Sequence, residues 1–521
     1  MSMKKMKLVL FMTLITVLVL QACSTASNKS VEGSNEGAKS VGGELVVLRA
    51  SDATSLDPHF ITDIPSANII HGKVYETLVA FDRDRKIAPL LAKEWEQKDD
   101  VTWTFILNEG IKFHDGADFN AEAVKATFDR ILDPETGSPQ RDKLSMISEV
   151  VVDDTFVVTL KLKEPYAPLL SILASQEGSM ISPKAIAEEG DQLATHPVGT
   201  GPFVFDSWKT GQEITLSSNK DYWGTVPKVD KVTFKVVPED STRLAMIESG
   251  EAHIAEQVPV TEIDRIENSS TMNLFRAEGL AVEFIGFNVK DALLSDVKVR
   301  QAVSYAVDRE AIISGIYDNV GTLANSAMSP KIIGYSSETK PYDYDVVKAK
   351  ELLKEAGVKE GTKVKLLTSD RKERINMAEV IQSQLKGIGL DVEIQVMEYG
   401  AFISEITKEQ HQIFISGWGN ATGDADYNQF NLFHTASMGP PGNHFYYSNP
   451  EIDKLIEQGR SESNQEARNE IYKKAMQMEL DDAVYIPVRN YEHLAVYSNA
   501  VKGFWLDASN YTMISGVEIV E

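Results

Sequence analysis

The chain has 521 residues, 77 acidic against 52 basic, and a single cysteine. A formal charge of −25 argues against nucleic acid as a partner and against electrostatic docking on anionic lipid. One thiol excludes internal disulfides and cysteine-rich metal sites, so stability must come from a large apolar core spread over two or three domains.

Lys4, Lys5 and Lys7 precede an uncharged run of 13 residues, Leu8 to Leu20, too short for a comfortable membrane span. Small residues and Cys23 follow, which is the layout of a secretory signal over residues 1–22. Leu20-Gln21-Ala22-Cys23 resembles the lipobox of bacterial lipoproteins, with Gln21 where a small residue is usual. That resemblance implies cleavage before Cys23 and a diacylglycerol on its sulfur; the alternative is a plain signal peptide with an incidental cysteine. Residues 23–42 are polar and glycine-rich and read as a flexible tether. Loss of residues 1–22 would take the formal charge to −28, because three lysines and no acid go with them.

Strands are expected at 42–50, 101–107, 213–218 and 231–237, and a hairpin at 149–162 turning at Asp153-Asp154. Helical spacing marks 66–81, 120–132 with Asn120 as its cap, and 240–250 ending at Gly250. From 283 the rhythm changes. One long helix is expected over 296–317 and another over 345–357, ended by Gly357. The run 363–417 then reads strand, helix, strand, helix, strand, with helices at 375–389 and 401–409. This order calls for parallel strands and right-handed crossovers. Ligands of such sheets sit beyond the carboxyl ends of the strands. That rule nominates the loops 417–430 and 369–374, and with them Trp418, Gly419, Asn420, Thr422, Asp424, Asp426 and Arg371. The bland readings are a core tryptophan capping a strand, acids in a solvated turn and an arginine on an open surface.

HExxH, GxSxG and the Walker sequence are absent. "GTGPFV" (199–204) and "GWGNAT" (417–422) fall short of GxGxxG, and "DADYN" (424–428) departs from a calcium loop at Gln429 and Thr435. Nine scattered histidines suggest no shared metal. His114 and Asp115 in "KFHDG" (112–116) are expected to serve a surface hairpin. The balance favours binding over catalysis, with no cofactor; a secreted hydrolase built on two distant carboxylates is the alternative of another class.

Several blocks carry a resemblance: "LVVLRASDATSLDPHF" (45–60), "IAPLLAKEWEQKDDVTWTFILNEGIKFHDGADFNAEAVKATFDRIL" (87–132), "HPVGTGPFVF" (196–205), "SNKDYWG" (218–224) and "FNVKDALLSDVKVRQAVSYAVDRE" (287–310). Their order and spacing resemble the large extracytoplasmic solute-binding proteins of ABC importers for peptides, nickel and glutathione. The resemblance implies an α/β, two-lobed periplasmic-binding-protein-like fold with mixed sheets, an extra domain and a cleft between the lobes. Lobe I would use 43–80, 190–283 and 490–521; the extra domain 81–189; lobe II 284–489. The chain would cross between lobes near 279–288 and 484–490. It implies hinge closure on a ligand and delivery to a permease with its ATPase, by a monomer held by the Cys23 lipid at the outer face of the cytoplasmic membrane, or in the periplasm if the cell has an outer membrane. Dipeptide and oligopeptide members carry an Asp three residues after the loop tryptophan, where this chain has Ala421. The loop, with "FYYSNPEIDKLIEQG" (445–459) and "VKGFWL" (501–506), looks more like the glutathione-binding subgroup. On that reading Asp424 or Asp426 takes the ligand ammonium, Arg371 a carboxylate, and Thr54 faces the cleft from lobe I. Di- or oligopeptides and chelated nickel remain the alternatives for the same fold.

Overall fold

The computed structural model describes residues 40–440 and 442–520. The expected leader, Cys23 and nearly all of the expected tether lie outside the described residues.

A mixed sheet of eleven strands runs through the molecule. In one half, Glu44–Arg49 lies parallel to both Lys231–Val236 and Ile254–Glu256, and Glu213–Ser218 and Phe203–Lys209 extend it antiparallel. In the other half, Thr362–Ser369 lies parallel to both Leu390–Met397 and Ile413–Gly419. Helices Lys372–Lys386 and Tyr399–Ile406 make the two connections there, as the alternating pattern requires. Two long antiparallel strands, Met272–Phe287 and Tyr485–Ser498, cross between the halves. Ile413–Gly419 pairs with the first and Ile254–Glu256 with the second.

The apolar side chains segregate accordingly. One cluster draws on three separated stretches of chain, Leu45 to Tyr75, Ile181 to Ile254 and Ala495 to Val517. A second, Leu78 to Met180, packs a four-stranded antiparallel sheet (Ala92–Asp99, Thr102–Leu107, Val157–Leu162, Ile147–Asp154) against helix Ala121–Leu132. That helix starts where Asn120 accepts the Ala123 N–H at 3.1 Å, and it buries Ala121, Val124, Phe128 and Ile131 at helical spacing. Full burial of a side chain such as Phe128 contributes about 1.5–3 kcal/mol. Two further clusters fill the region from Phe284 to Val488.

Three expected elements differ. The 296–317 helix is two helices, Val297–Ala306 and Arg309–Tyr317, because Asp308 caps the second by accepting the Ala311 N–H at 2.9 Å. The helical spacing over 66–81 resolves into helix Ile64–Ile70, a turn and strand Val79–Phe81. There the carbonyls of Lys73 and Val74 leave the helical pattern and accept N–H bonds from Phe203 and Gly201, at 2.9 and 3.0 Å. The 149–162 hairpin turns two residues later than expected, at Thr155-Phe156, between strands Ile147–Asp154 and Val157–Leu162.

Candidate functional site

Where the chain crosses between the halves, the pairing register breaks between Glu278 and Val282. The bulge at Gly279 to Ala281 is held from two sides: the Leu280 N–H donates to the Ala508 carbonyl at 3.1 Å, and its carbonyl accepts from Asn420 at 3.3 Å. Two adjoining cavities, about 490 and 260 Å³, share Gln176, Ala421, Ala508, Ser509 and Tyr511 in their walls. The smaller is floored by Leu280 and Ala281 and walled by Asp63, Lys143, Gly419 and Asn420. Concave space of about 300–1,000 Å³ is the usual size for a small-molecule site.

The loop after Ile413–Gly419 meets this space with its first part only. Gly419, Asn420 and Ala421 line it. Asn420 is also the loop's brace, donating to the Asp424 carbonyl at 2.7 Å and to Asn428 Oδ1 at 2.9 Å while accepting the Thr422 N–H at 2.9 Å. Thr422 is buried, and its hydroxyl accepts the Asp424 N–H at 3.3 Å. Trp418 packs behind the loop, 5.8 Å from the Tyr427 ring, against the apolar cluster of this half. Asp424 caps helix Ala425–Phe433 and forms a buried bidentate pair with Arg468, both contacts 2.6 Å. Asp426 pairs bidentately with Arg460 at 2.9 and 3.0 Å, and burial lifts its carboxyl above the ordinary range against the pull of that arginine. Both carboxylates are therefore engaged inside the fold, and neither lines the two adjoining cavities.

Arg371 precedes helix Lys372–Lys386 and lines a separate cavity of about 510 Å³ that meets the smaller one at His493. Its wall includes Glu283, a buried carboxylate on the first crossing strand. Glu283 accepts from Arg489 at 3.1 Å, Arg374 at 3.3 Å and Tyr317 Oη at 2.7 Å. Thr54 is exposed and donates to Asp63 at 2.6 Å, so it steadies a wall residue of the smaller cavity.

The larger of the two adjoining cavities contains groups that strand-end reasoning did not reach. Glu76 is a buried hub: Tyr222 donates to it at 2.6 Å, Trp223 at 2.9 Å and Thr200 at 2.8 Å. Burial raises its pKa against those three donors. The sequence blocks "VYET", "GTGPF" and "DYWG" thus meet at one carboxylate. Gly199 and Gly201 serve the same join, since a Cβ on either would stand about 2 Å from the Val74 or Lys73 carbonyl oxygen. His71, 5.1 Å from Tyr511, is held neutral: burial, then Lys73 and Arg85, lower its pKa to about 3. Arg83 and Arg85, from the turn after strand Val79–Phe81, also line this space. His114 and Asp115 sit elsewhere in structural roles, His114 Nε2 3.0 Å from the Gly201 carbonyl and Asp115 accepting from Ser182 at 2.5 Å. Among the described residues no three His, Cys, Asp or Glu side chains converge as a metal site, and no helix is long and apolar enough to cross a membrane.

Residues 86–440 match the family described as bacterial extracellular solute-binding proteins, family 5. The chain is 32% identical over 472 residues to the glutathione-binding protein GsiB of Escherichia coli O1:K1, covering 89% of this chain and 92% of GsiB. Its fold is similar to HbpA2 from Haemophilus parasuis, with a TM-score of 0.85 and 26% identity over 92% of this chain and 100% of that one. It is also similar to the periplasmic binding protein DppA from Helicobacter pylori, solved in complex with the peptide STSA, with a TM-score of 0.75 and 29% identity over 92% and 99% of the two chains. The expected α/β, two-lobed class with mixed sheets is the class observed. This chain belongs to the bacterial extracellular solute-binding proteins of family 5.

Proposed function

We propose that this protein is the capture subunit of an ABC importer and binds glutathione or a small peptide in the cleft at the crossing strands. The observation that carries this reading is the pair of adjoining cavities, floored by the register break and walled by segments far apart in sequence. Movement of one half against the other would open and close that space, with Met272–Phe287 and Tyr485–Ser498 as the hinge. The backbone N–H of Ala167 meets the Arg460 carbonyl at 2.8 Å, a contact that such an opening would break. Likeness to GsiB supports glutathione, and likeness to the peptide-bound DppA keeps small peptides in play. Lobe I at 43–80, 190–283 and 490–521, an extra domain at 81–189 and lobe II at 284–489 remain the proposed division. The protein acts by binding; a lipid on Cys23 would keep it, as a monomer outside the cytoplasmic membrane, beside its permease. In this proposal Gly419, Asn420 and Ala421 touch the ligand, while Trp418, Thr422, Asp424 and Asp426 hold that loop in place. Arg371 serves the neighbouring hinge cavity, and Thr54 fixes Asp63.

Calorimetric titration with glutathione, oxidised glutathione, di- to pentapeptides and nickel with histidine tests the reading. Saturable binding of glutathione or a small peptide, with no product formed, is the expected result. Silence across the panel, or turnover of any member, would overturn it.

A further inference from the structure

Two arginines reach the larger cavity from the turn at residues 82–86, and neither donates a side-chain hydrogen bond among the described residues. Arg85 is 7% exposed, and its Nε is buried without a partner. The turn holds it in place. The residue has φ +65°, and Asp82 ties the turn by accepting the Asp84 and Lys86 N–H groups at 2.8 Å each. The guanidinium carbon lies 3.6 Å from the centre of the Phe81 ring. On the opposite lobe Gly423 makes room: its φ is +73°, and a Cβ there would stand 2.0 Å from Arg85 Nη2. Arg83 lies 5.0 Å over the Trp505 ring.

The other cations of this cavity are hydrogen-bonded or half-exposed to water. Arg276 pairs with Glu492 at 2.6 Å, and Lys331 lies 3.7 Å from Glu278. The acid nearest Arg85 is Asp507 at 3.9 Å, close enough to attract it but too far to accept a hydrogen bond. Burial lowers the Arg85 pKa and Asp507 opposes that, yet a guanidinium stays charged across the physiological range. A buried charge without an acceptor is unfavourable unless a partner arrives from outside the chain. Phe81 covers a face of the guanidinium, and a carboxylate would supply the planar acceptor that its N–H groups lack.

We propose that Arg85, supported by Arg83, is the carboxylate anchor of the cleft, and that the protein selects small ligands with a free carboxylate. This rests on the capture reading above and adds the chemistry by which the ligand is chosen.

Titration with matched acid and amide ligands reads the anchor without changing the protein. The panel is glutathione and its two mono-amides, a dipeptide and its C-terminal amide, and glutarate as a carboxylate with no peptide group. An acid is expected to bind at least about tenfold more tightly than one of its amides. Arg85→Met is expected to remove that ratio and Arg85→Lys to keep part of it, since an ammonium retains the charge and loses the fork. Equal affinity of acids and amides would overturn the anchor and leave capture standing. Glutarate bound with every peptide inert, and lost in Arg85→Met, would keep the anchor and overturn peptide capture. Silence of the whole panel would overturn both. If Arg85→Met does not fold, the acid-to-amide ratio of the unaltered protein still decides.

Discussion

The loop at 417–430 and the turn at 82–86 are both short, charged and placed at the cleft, yet they use charge in opposite ways. In the loop each acid has a bidentate arginine, Asp424 with Arg468 and Asp426 with Arg460. Those pairs fix the start of helix Ala425–Phe433 and so the position of Gly419 to Ala421. In the turn, Arg85 rests on Phe81 with only a distant Coulomb partner. Charge that is fully hydrogen-bonded holds a fold in place. Charge that is buried, oriented and without an acceptor is available to something else.

The contrast is easiest to break at the loop. Asp424→Ala strands the buried Arg468 guanidinium and removes a helix cap, so urea denaturation is expected to show a loss of about 3–5 kcal/mol. A loss under 1 kcal/mol would mean that the loop's charges are no more structural than the turn's. Gly423→Ala stands between the two regions. The added methyl meets both a positive φ and the Arg85 guanidinium, so a cost of about 1–3 kcal/mol is expected, with weaker ligand binding. Unchanged stability and affinity together would show that the arginine can move aside freely.

Glu479 supplies a smaller, pH-dependent comparison within the half that carries the 417–430 loop. It is buried, its Oε1 has no partner among the described residues, and burial raises its pKa well above the ordinary value despite Gln429. The folded state therefore keeps a proton that the unfolded state has released above the ordinary carboxylate range, and stability falls as pH rises through that window. Glu479→Gln removes this dependence. It is expected to raise the urea midpoint at pH 8 and to change it far less at pH 4, where the unfolded state is also mostly protonated. The smallest effect is expected for Arg85→Met, a stability change within about 1 kcal/mol, because the lost contact with Phe81 and the distant attraction to Asp507 are offset by relief of a buried charge without a hydrogen-bond acceptor. A loss as large as that of Asp424→Ala would place Arg85 with the structural pairs.

Local signals in the chain carried far. The cap at Asn120, the stop at Gly357 with φ +70° and the alternation over 363–417 all appear as expected. Periodicity misled where backbone groups had long-range partners. The 66–81 run is apolar at helical spacing because it feeds two cores, while its carbonyls bond to Gly201 and Phe203. The placement of loop 417–430 at a strand end was readable, but the partners of its acids lie 44 and 34 residues downstream. Arg83 and Arg85 stand in the polar run 82–86, with nothing local to single them out. No short-range pattern marks a guanidinium that folding will bury.

Most element kinds, their order, the fold class and the family are legible in the chain, because caps, turn residues and hydrophobic period act over a few residues and the family's blocks keep their spacing. Which charges are paired is legible only once the chain is folded. Whether a carboxylate or a guanidinium finds its acceptor inside the chain depends on segments tens to hundreds of residues apart meeting within about 3 Å, and on the burial that makes an unmet hydrogen bond costly.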